Sequence, residues 1–265
     1  MRNVAGALSS QEWNESSLEG VAVSAAVCRP PCAPRTQMVI FQGDFGEIGG
    51  FLALPADPGR RPAVLAIHEW WGLNGWIKEQ ATSLARHGYV VLAADLYCGK
   101  VTTDRSEARK LKRELNKDRA IRDLQAAFEH LADRRDVDPA RISSMGWSMG
   151  GCLALQLAIY EPRLAACIVN YGSLPTAPDD IQKINVQVLG NFGSLDRGVP
   201  PDKVRAFEAR MKADKKAVDF KIYNGAGHGF ENPATKRGYR PKDASDAWLR
   251  TLAFLGHALA RPNAY

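Results

Sequence analysis

Ser148 lies in Gly146-Trp147-Ser148-Met149-Gly150-Gly151, directly after the apolar run Ile142–Trp147 and before a helical pattern. This is a G-x-S-x-G elbow, in which small residues flank a sharp strand-to-helix turn that lifts a serine hydroxyl onto a sheet edge. A hydroxyl is a weak nucleophile, so such a serine needs a base within hydrogen-bond reach and a further group to orient that base. Without those partners the motif is only a glycine-rich turn.

Five histidines compete for the role of base. His228 sits in the glycine-rich loop Asn224-Gly225-Ala226-Gly227-His228-Gly229-Phe230, after a strand and near the end of the chain. His87 caps a helix before Gly88, His130 and His257 fall in helical patterns, and His68 ends a strand beside Glu69. The order serine, acid, histidine places the orienting carboxylate between Ser148 and His228. Asp196, after an apolar strand and before a helix, fits best; Asp179 and Asp180 are rivals in a proline-rich stretch. Acyl transfer also requires N–H donors aimed at the developing oxyanion, and the Met149 N–H together with one from His68-Glu69-Trp70-Trp71-Gly72-Leu73-Asn74 would supply them. Trp70, Trp71 and Trp76 either wall an apolar pocket or belong to the core.

These residues need a scaffold that brings distant segments together. The runs Ala63–Ile67, Tyr89–Ala94, Ile142–Trp147, Ala165–Asn170, Val186–Phe192 and Phe220–Tyr223 suit strands buried on both faces. Met38–Phe41 and Gly50–Leu54 suit an antiparallel hairpin that opens the sheet. Between the strands lie helical patterns at Ile77–His87, Gly150–Tyr160, Pro201–Lys212 and Ala244–Leu259. Another carries Ile121, Leu124, Phe128 and Leu131 on one face. Alternating strands and helices predict an α/β fold with a mostly parallel central sheet covered on both sides, of the α/β-hydrolase type. The short interval between Ala165 and Val186 leaves no room for a large cap.

The composition sets outer limits. The chain has 265 residues, 45% of them hydrophobic and 24% charged, the balance of one globular domain rather than a disordered or membrane chain. Residues 1–35 lack periodicity and read as a tail or irregular arm, leaving 36–265 as the domain. The first apolar stretch, Val4–Leu8, is too short for a signal-peptide core, and no run approaches a membrane span, so a cytoplasmic protein is expected. Five cysteines give no disulfide framework; Cys28 and Cys32 could pair on a metal, but no second pair follows at zinc-binding spacing. The net charge of +6 comes largely from the basic run in residues 105–122, which reads as a solvated helical face because no nucleic-acid motif accompanies it. The expected partner is therefore a small molecule, with no nucleic acid and no membrane, and the assembly a monomer or small homo-oligomer.

Taken together, His68-Glu69-Trp70-Trp71-Gly72-Leu73-Asn74, Asp95-Leu96-Tyr97, the elbow, Asp196 with Val199-Pro200, and Ala226-Gly227-His228 resemble the dienelactone hydrolase family over about residues 36–260. The resemblance implies a capless α/β-hydrolase domain that opens cyclic or linear esters without a metal or organic cofactor. It also implies that Glu69 helps control the nucleophile, that Trp70 supplies the second oxyanion N–H, and that Trp71, Trp147 and Tyr97 are candidates for the substrate pocket. Many members carry cysteine at the elbow where this chain has Ser148, which throws more weight on the histidine base. Arginines that hold a substrate carboxylate in dienelactone enzymes would fall at Gly99 and Asn232, with Lys100, Lys236 or Arg237 as substitutes of different geometry. The expected activity is hydrolysis of a carboxylic ester or lactone through an acyl-serine. The alternatives are a binding protein that has kept the fold, or the same triad used for another acyl transfer or for carbon–carbon bond hydrolysis.

Overall fold

In β3 (Arg61–Ile67) Ala63, Leu65 and Ile67 pack into one core and Val64 and Ala66 into another, because successive side chains leave a strand on opposite faces. A run apolar at all five positions from Ala63 to Ile67 is accommodated between two helical layers, and the computed structural model, which describes residues 33–260, has that arrangement. Eight strands form one sheet in the order β1-β2-β4-β3-β5-β6-β7-β8. β1 (Arg35–Gly43) and β2 (Gly46–Leu54) form the antiparallel hairpin, and β2 joins β4 (Val90–Ala94) antiparallel. The remaining pairings, through β5 (Val137–Trp147), β6 (Ala166–Asn170), β7 (Gln187–Gly193) and β8 (Val218–Tyr223), are parallel.

One face is covered by α1 (Gly75–Arg86) and α7 (Pro241–Ala258), the other by α2 (Arg105–Glu114), α3 (Lys117–Ala132), α4 (Met149–Tyr160), α5 (Pro178–Lys183) and α6 (Pro201–Ala213). Ile121, Leu124, Phe128 and Leu131 of α3 are all buried, as their spacing predicts. The chain leaves β3 toward β4 on one side and later returns to β5 on the other. The loops after β3 and β5 therefore diverge at a topological switch point, where open parallel sheets make their ligand crevices.

Three features differ from the sequence reading. β8 stands at the edge of the sheet with Asp219 and Lys221 exposed, so Phe220–Tyr223 is not buried on both faces. The basic run is not one helical face but two helices, broken at Leu115, whose extended backbone (φ −67°, ψ 110°) ends α2, and restarted by Asn116, whose side chain accepts the Arg119 N–H at 3.0 Å. The proline-rich stretch after β6 contains α5, which starts on Pro178, where a missing N–H costs nothing, and buries Ile181. This six-residue helix is the only helix between β6 and β7, so no large cap stands over the sheet. The expected arm at residues 1–35, with Cys28 and Cys32, lies outside the described residues apart from its last three positions, of which Arg35 begins β1.

Candidate active site

Ser148 has φ 55° and ψ −113°, a left-handed conformation that costs a non-glycine residue on the order of 1–3 kcal/mol. The turn is held by the Ser148 N–H on the Asn170 carbonyl (2.9 Å) and the Cys152 N–H on the Ser148 carbonyl (3.1 Å). Glycine is obligatory around it, since a Cβ on Gly146 would strike the Gly150 carbonyl and one on Gly150 would strike the Ile67 carbonyl. A serine before a helix ordinarily caps it with its own hydroxyl. Ser148 does not. Its Oγ lies 2.8 Å from His228 Nε2 instead.

His228 Nδ1 lies 2.7 Å from Asp196 Oδ2, and the other carboxylate oxygen accepts the Gly198 and Val199 N–H groups at 2.8 and 3.0 Å. Burial alone would raise the Asp196 pKa, but the hydrogen bond and charge of His228 and these two amides outweigh it and hold the carboxyl below its ordinary value. An anionic Asp196 fixes the proton on Nδ1 and leaves the Nε2 lone pair facing the serine hydroxyl. Such a line can take the serine proton as the oxygen attacks an electrophilic carbon.

The rival residues stand elsewhere. His68 is buried with both ring nitrogens engaged, Nε2 accepting the Leu96 N–H at 3.2 Å and Nδ1 2.6 Å from the Glu69 carbonyl; burial lowers its pKa. His130 stacks on Phe41, His87 faces Trp248, and Asp179 and Asp180 occupy the first turn of α5. Met149 opens α4 and Trp70 lies in the loop after β3. Among the described residues neither backbone N–H is paired with a protein acceptor. The start of a helix is a favourable place for a developing negative charge.

A cavity of about 400 Å³ lies over Ser148 and His228, walled by Met149, Leu153, Tyr171 and Val199 and, on its exposed side, by Lys112, Leu115 and Lys117 from the α2–α3 break. The pocket expected from Trp71, Trp147 and Tyr97 is a correction: none of the three lines it. Trp147 is wholly buried beneath the sheet against Trp76, Tyr97 is buried with its hydroxyl on Met149 Sδ at 3.3 Å, and Trp71 packs on Trp70. Nor do Lys100 and Lys236 wall the cavity, and the Arg237 side chain lies outside the described residues. Gly99 donates its N–H to Asp95 at 2.5 Å, within the turn after β4. Cys152 forms part of the wall, where burial raises its thiol pKa against the opposing charges of Lys117 and Lys112.

Glu69 is buried behind this line, accepting from Asn232 Nδ2 at 2.6 Å and from the Tyr171 hydroxyl at 3.4 Å. Burial raises its pKa against the Asn232 bond, the His228 charge and the Tyr171 bond. The Tyr171 ring meets His228 edge-on, with centroids 5.2 Å apart, so Glu69 reaches the base through one intermediate side chain. Tyr171 and Glu231 went unrecognised in the sequence, and Asn232 was noted there only as the place of a missing arginine. Glu231 accepts the Trp147 indole N–H at 3.1 Å through Oε2, while its Oε1 is sealed from solvent with no partner. Burial pushes its pKa to about 8, with the Trp147 bond opposing and the Glu69 charge reinforcing the shift.

A mostly parallel eight-stranded sheet, a strand-to-helix elbow at the switch point and a serine–histidine–aspartate line across the carboxyl edge define an α/β-hydrolase-fold protein. The chain belongs to the dienelactone hydrolase family, whose model matches residues 48–259, and is a hydrolase of that family. It is 31% identical, over 77% of its length and 87% of the relative's, to a Bradyrhizobium protein named "Probable 2-oxo-3-(5-oxofuran-2-ylidene)propanoate lactonase". It is 32% identical, over 82% of its length and 96% of the relative's, to a Saccharolobus solfataricus protein carrying the provisional name carboxymethylenebutenolidase. The solved structure m3DLH superposes with a TM-score of 0.79 at 27% identity, covering 86% of this chain and all of that one.

Proposed function

We propose that the protein hydrolyses a carboxylic ester or lactone through an acyl-Ser148 intermediate. The observation that carries this reading is the continuous pair of hydrogen bonds from Ser148 Oγ through the His228 ring to Asp196. The lactonase name of the Bradyrhizobium relative supports the substrate class. In the first half-reaction His228 Nε2 takes the hydroxyl proton as Oγ bonds to the carbonyl carbon. The carbonyl oxygen becomes an oxyanion facing the Met149 and Trp70 N–H groups. Collapse of the tetrahedral adduct breaks the bond to the alcohol oxygen, which receives the proton from His228. In the second half-reaction water takes the place of Ser148, yielding its proton to His228 and releasing the acid as the serine is restored. Asp196 stays ionised throughout and stabilises the imidazolium. Apart from a small-molecule substrate and water, the sequence of steps uses the chain's own groups.

A fluorophosphonate probe tests the assignment. It labels the native protein at one site and leaves Ser148→Ala unlabelled, and a panel of short aryl esters and lactones shows turnover lost with the label. Undiminished labelling of Ser148→Ala rejects the nucleophile; labelling without turnover of any ester or lactone rejects the substrate class.

No helix of the described residues is long and apolar enough to cross a membrane. The cysteines among the described residues, Cys98, Cys152 and Cys167, are all free, which favours a reducing compartment and supports a cytoplasmic location.

A further inference from the structure

A second cavity, of about 270 Å³, opens beside the one over Ser148, between the β6–α5 link and α6. The two share Ser173, Gly198 and Val199, so they are separated only by the turn whose N–H groups hold Asp196. Its floor is core: Ile181, Val199 and Phe207 are all nearly inaccessible, and Leu174 packs against the same cluster. Pro175 and Pro178 complete an apolar wall, while Thr176 and Ala206 stand exposed on opposite sides of the rim. The guanidinium of Arg210, also at the rim, is paired with Asp214 at 2.8 Å. The space, whose lining also includes the exposed Lys203, is thus mostly apolar and adjoins the candidate reaction centre, and the proposed chemistry at Ser148 makes no use of it.

We propose that this second cavity is a specificity subsite for an apolar arm of the substrate, so that the preferred ester or lactone carries a medium-length alkyl or an aryl group on one side of the bond that is cut. The inference rests on the acyl-Ser148 reading. An arm laid across Val199 buries methylenes against a floor that is already formed, and each methylene buried from water raises kcat/KM about fourfold when fully covered. The subsite selects by length and apolar character, and it excludes branching next to the Gly198–Val199 turn, where the two cavities meet.

Two series of esters test this, one varying the acyl chain from two to eight carbons on a fixed p-nitrophenyl leaving group, the other varying the alcohol over the same lengths on a fixed acid. In the native protein kcat/KM rises at least about tenfold from the shortest to the longest member in one series. Ala206→Trp, which fills the cavity from its exposed rim, collapses that ratio, and so does Thr176→Trp from the opposite side. Ala209→Trp, exposed on the same helix outside the cavity, preserves it. A flat length dependence in both series, or a ratio that survives both filled variants, overturns the subsite while short-ester turnover leaves the acyl-Ser148 reading standing. Absence of both ester turnover and fluorophosphonate labelling overturns that reading and the subsite with it.

Discussion

The indole N–H of Trp147 donates to Glu231 at 3.1 Å, tying the residue that leads into the elbow to one three places past His228. The two loops that carry the nucleophile and base of the proposed reaction are therefore fastened to each other beneath the site as well as through the Ser148–His228 bond.

This tie has a cost that depends on pH. Glu231 ionises near 4.5 ordinarily but only near 8 in the folded protein, so the unfolded chain loses this proton first. Its contribution to stability is fully present below pH 4.5, falls as pH rises through the interval, and is exhausted above 8. Glu231→Gln keeps an acceptor for Trp147 and removes the ionisation. The variant is expected to show a flatter urea midpoint between pH 5 and 8 and to exceed the native protein in stability at pH 8. Parallel native and variant curves across that range would refute the coupling.

Asp196→Asn is expected to fold, since an amide oxygen can still accept the Gly198 and Val199 N–H groups. Its NH2 would face the imidazole and favour the tautomer with the proton on Nε2. In the Ser-His-Asp enzymes where this change has been made the loss in kcat is about 10⁴-fold, and a loss of that order is expected here. Ester kinetics together with an unchanged circular dichroism spectrum check it; full kcat would mean that another acid supports His228.

Ser148→Ala and His228→Ala should each abolish nearly all turnover, and the double variant should be no worse than either alone, because the two side chains act as one unit. Multiplying losses in the double variant would show that they act independently.

Gly150→Ala pushes a methyl group into the Ile67 carbonyl, joining the first turn of α4 to the end of β3 by a clash of backbone atoms that no side-chain rotation relieves. Overpacking of this kind typically costs about 1–3 kcal/mol, and here it also displaces the turn bearing Ser148. Lower urea midpoints and lost fluorophosphonate labelling are expected together. Native labelling at native stability would show that the elbow tolerates a side chain.

The elbow was legible because its constraint is local: a strand, a turn with no space for a Cβ, and a helix follow one another within a few residues. That Asp196 and His228 meet at Ser148 was legible from chain order, and the inner parallel strands from unbroken apolar runs, whereas β8, with Asp219 and Lys221 exposed, departs from that reading. The buried group of Glu69, Asn232 and Tyr171 was not, because it depends on a contact between side chains 163 positions apart. The orientation of Trp147 was within reach. It stands two residues after Met145 and therefore shares that residue's face of the sheet, away from the cavity. α5 escaped notice because six residues beginning on a proline give too few turns for a periodicity. The α2–α3 break escaped because charge, repeated on both sides of it, masked the change of direction at Leu115.

That break places Lys112, Leu115 and Lys117 at the threshold of the cavity, on a stretch of chain separate from the elbow, the acid turn and the histidine loop. In the proposed reaction, the lining on the exposed side of the cavity and the reacting groups thus belong to different pieces of the polypeptide. Selection can refashion which molecules get in by altering a helix junction, while the machinery on the far side of the opening stays as it is.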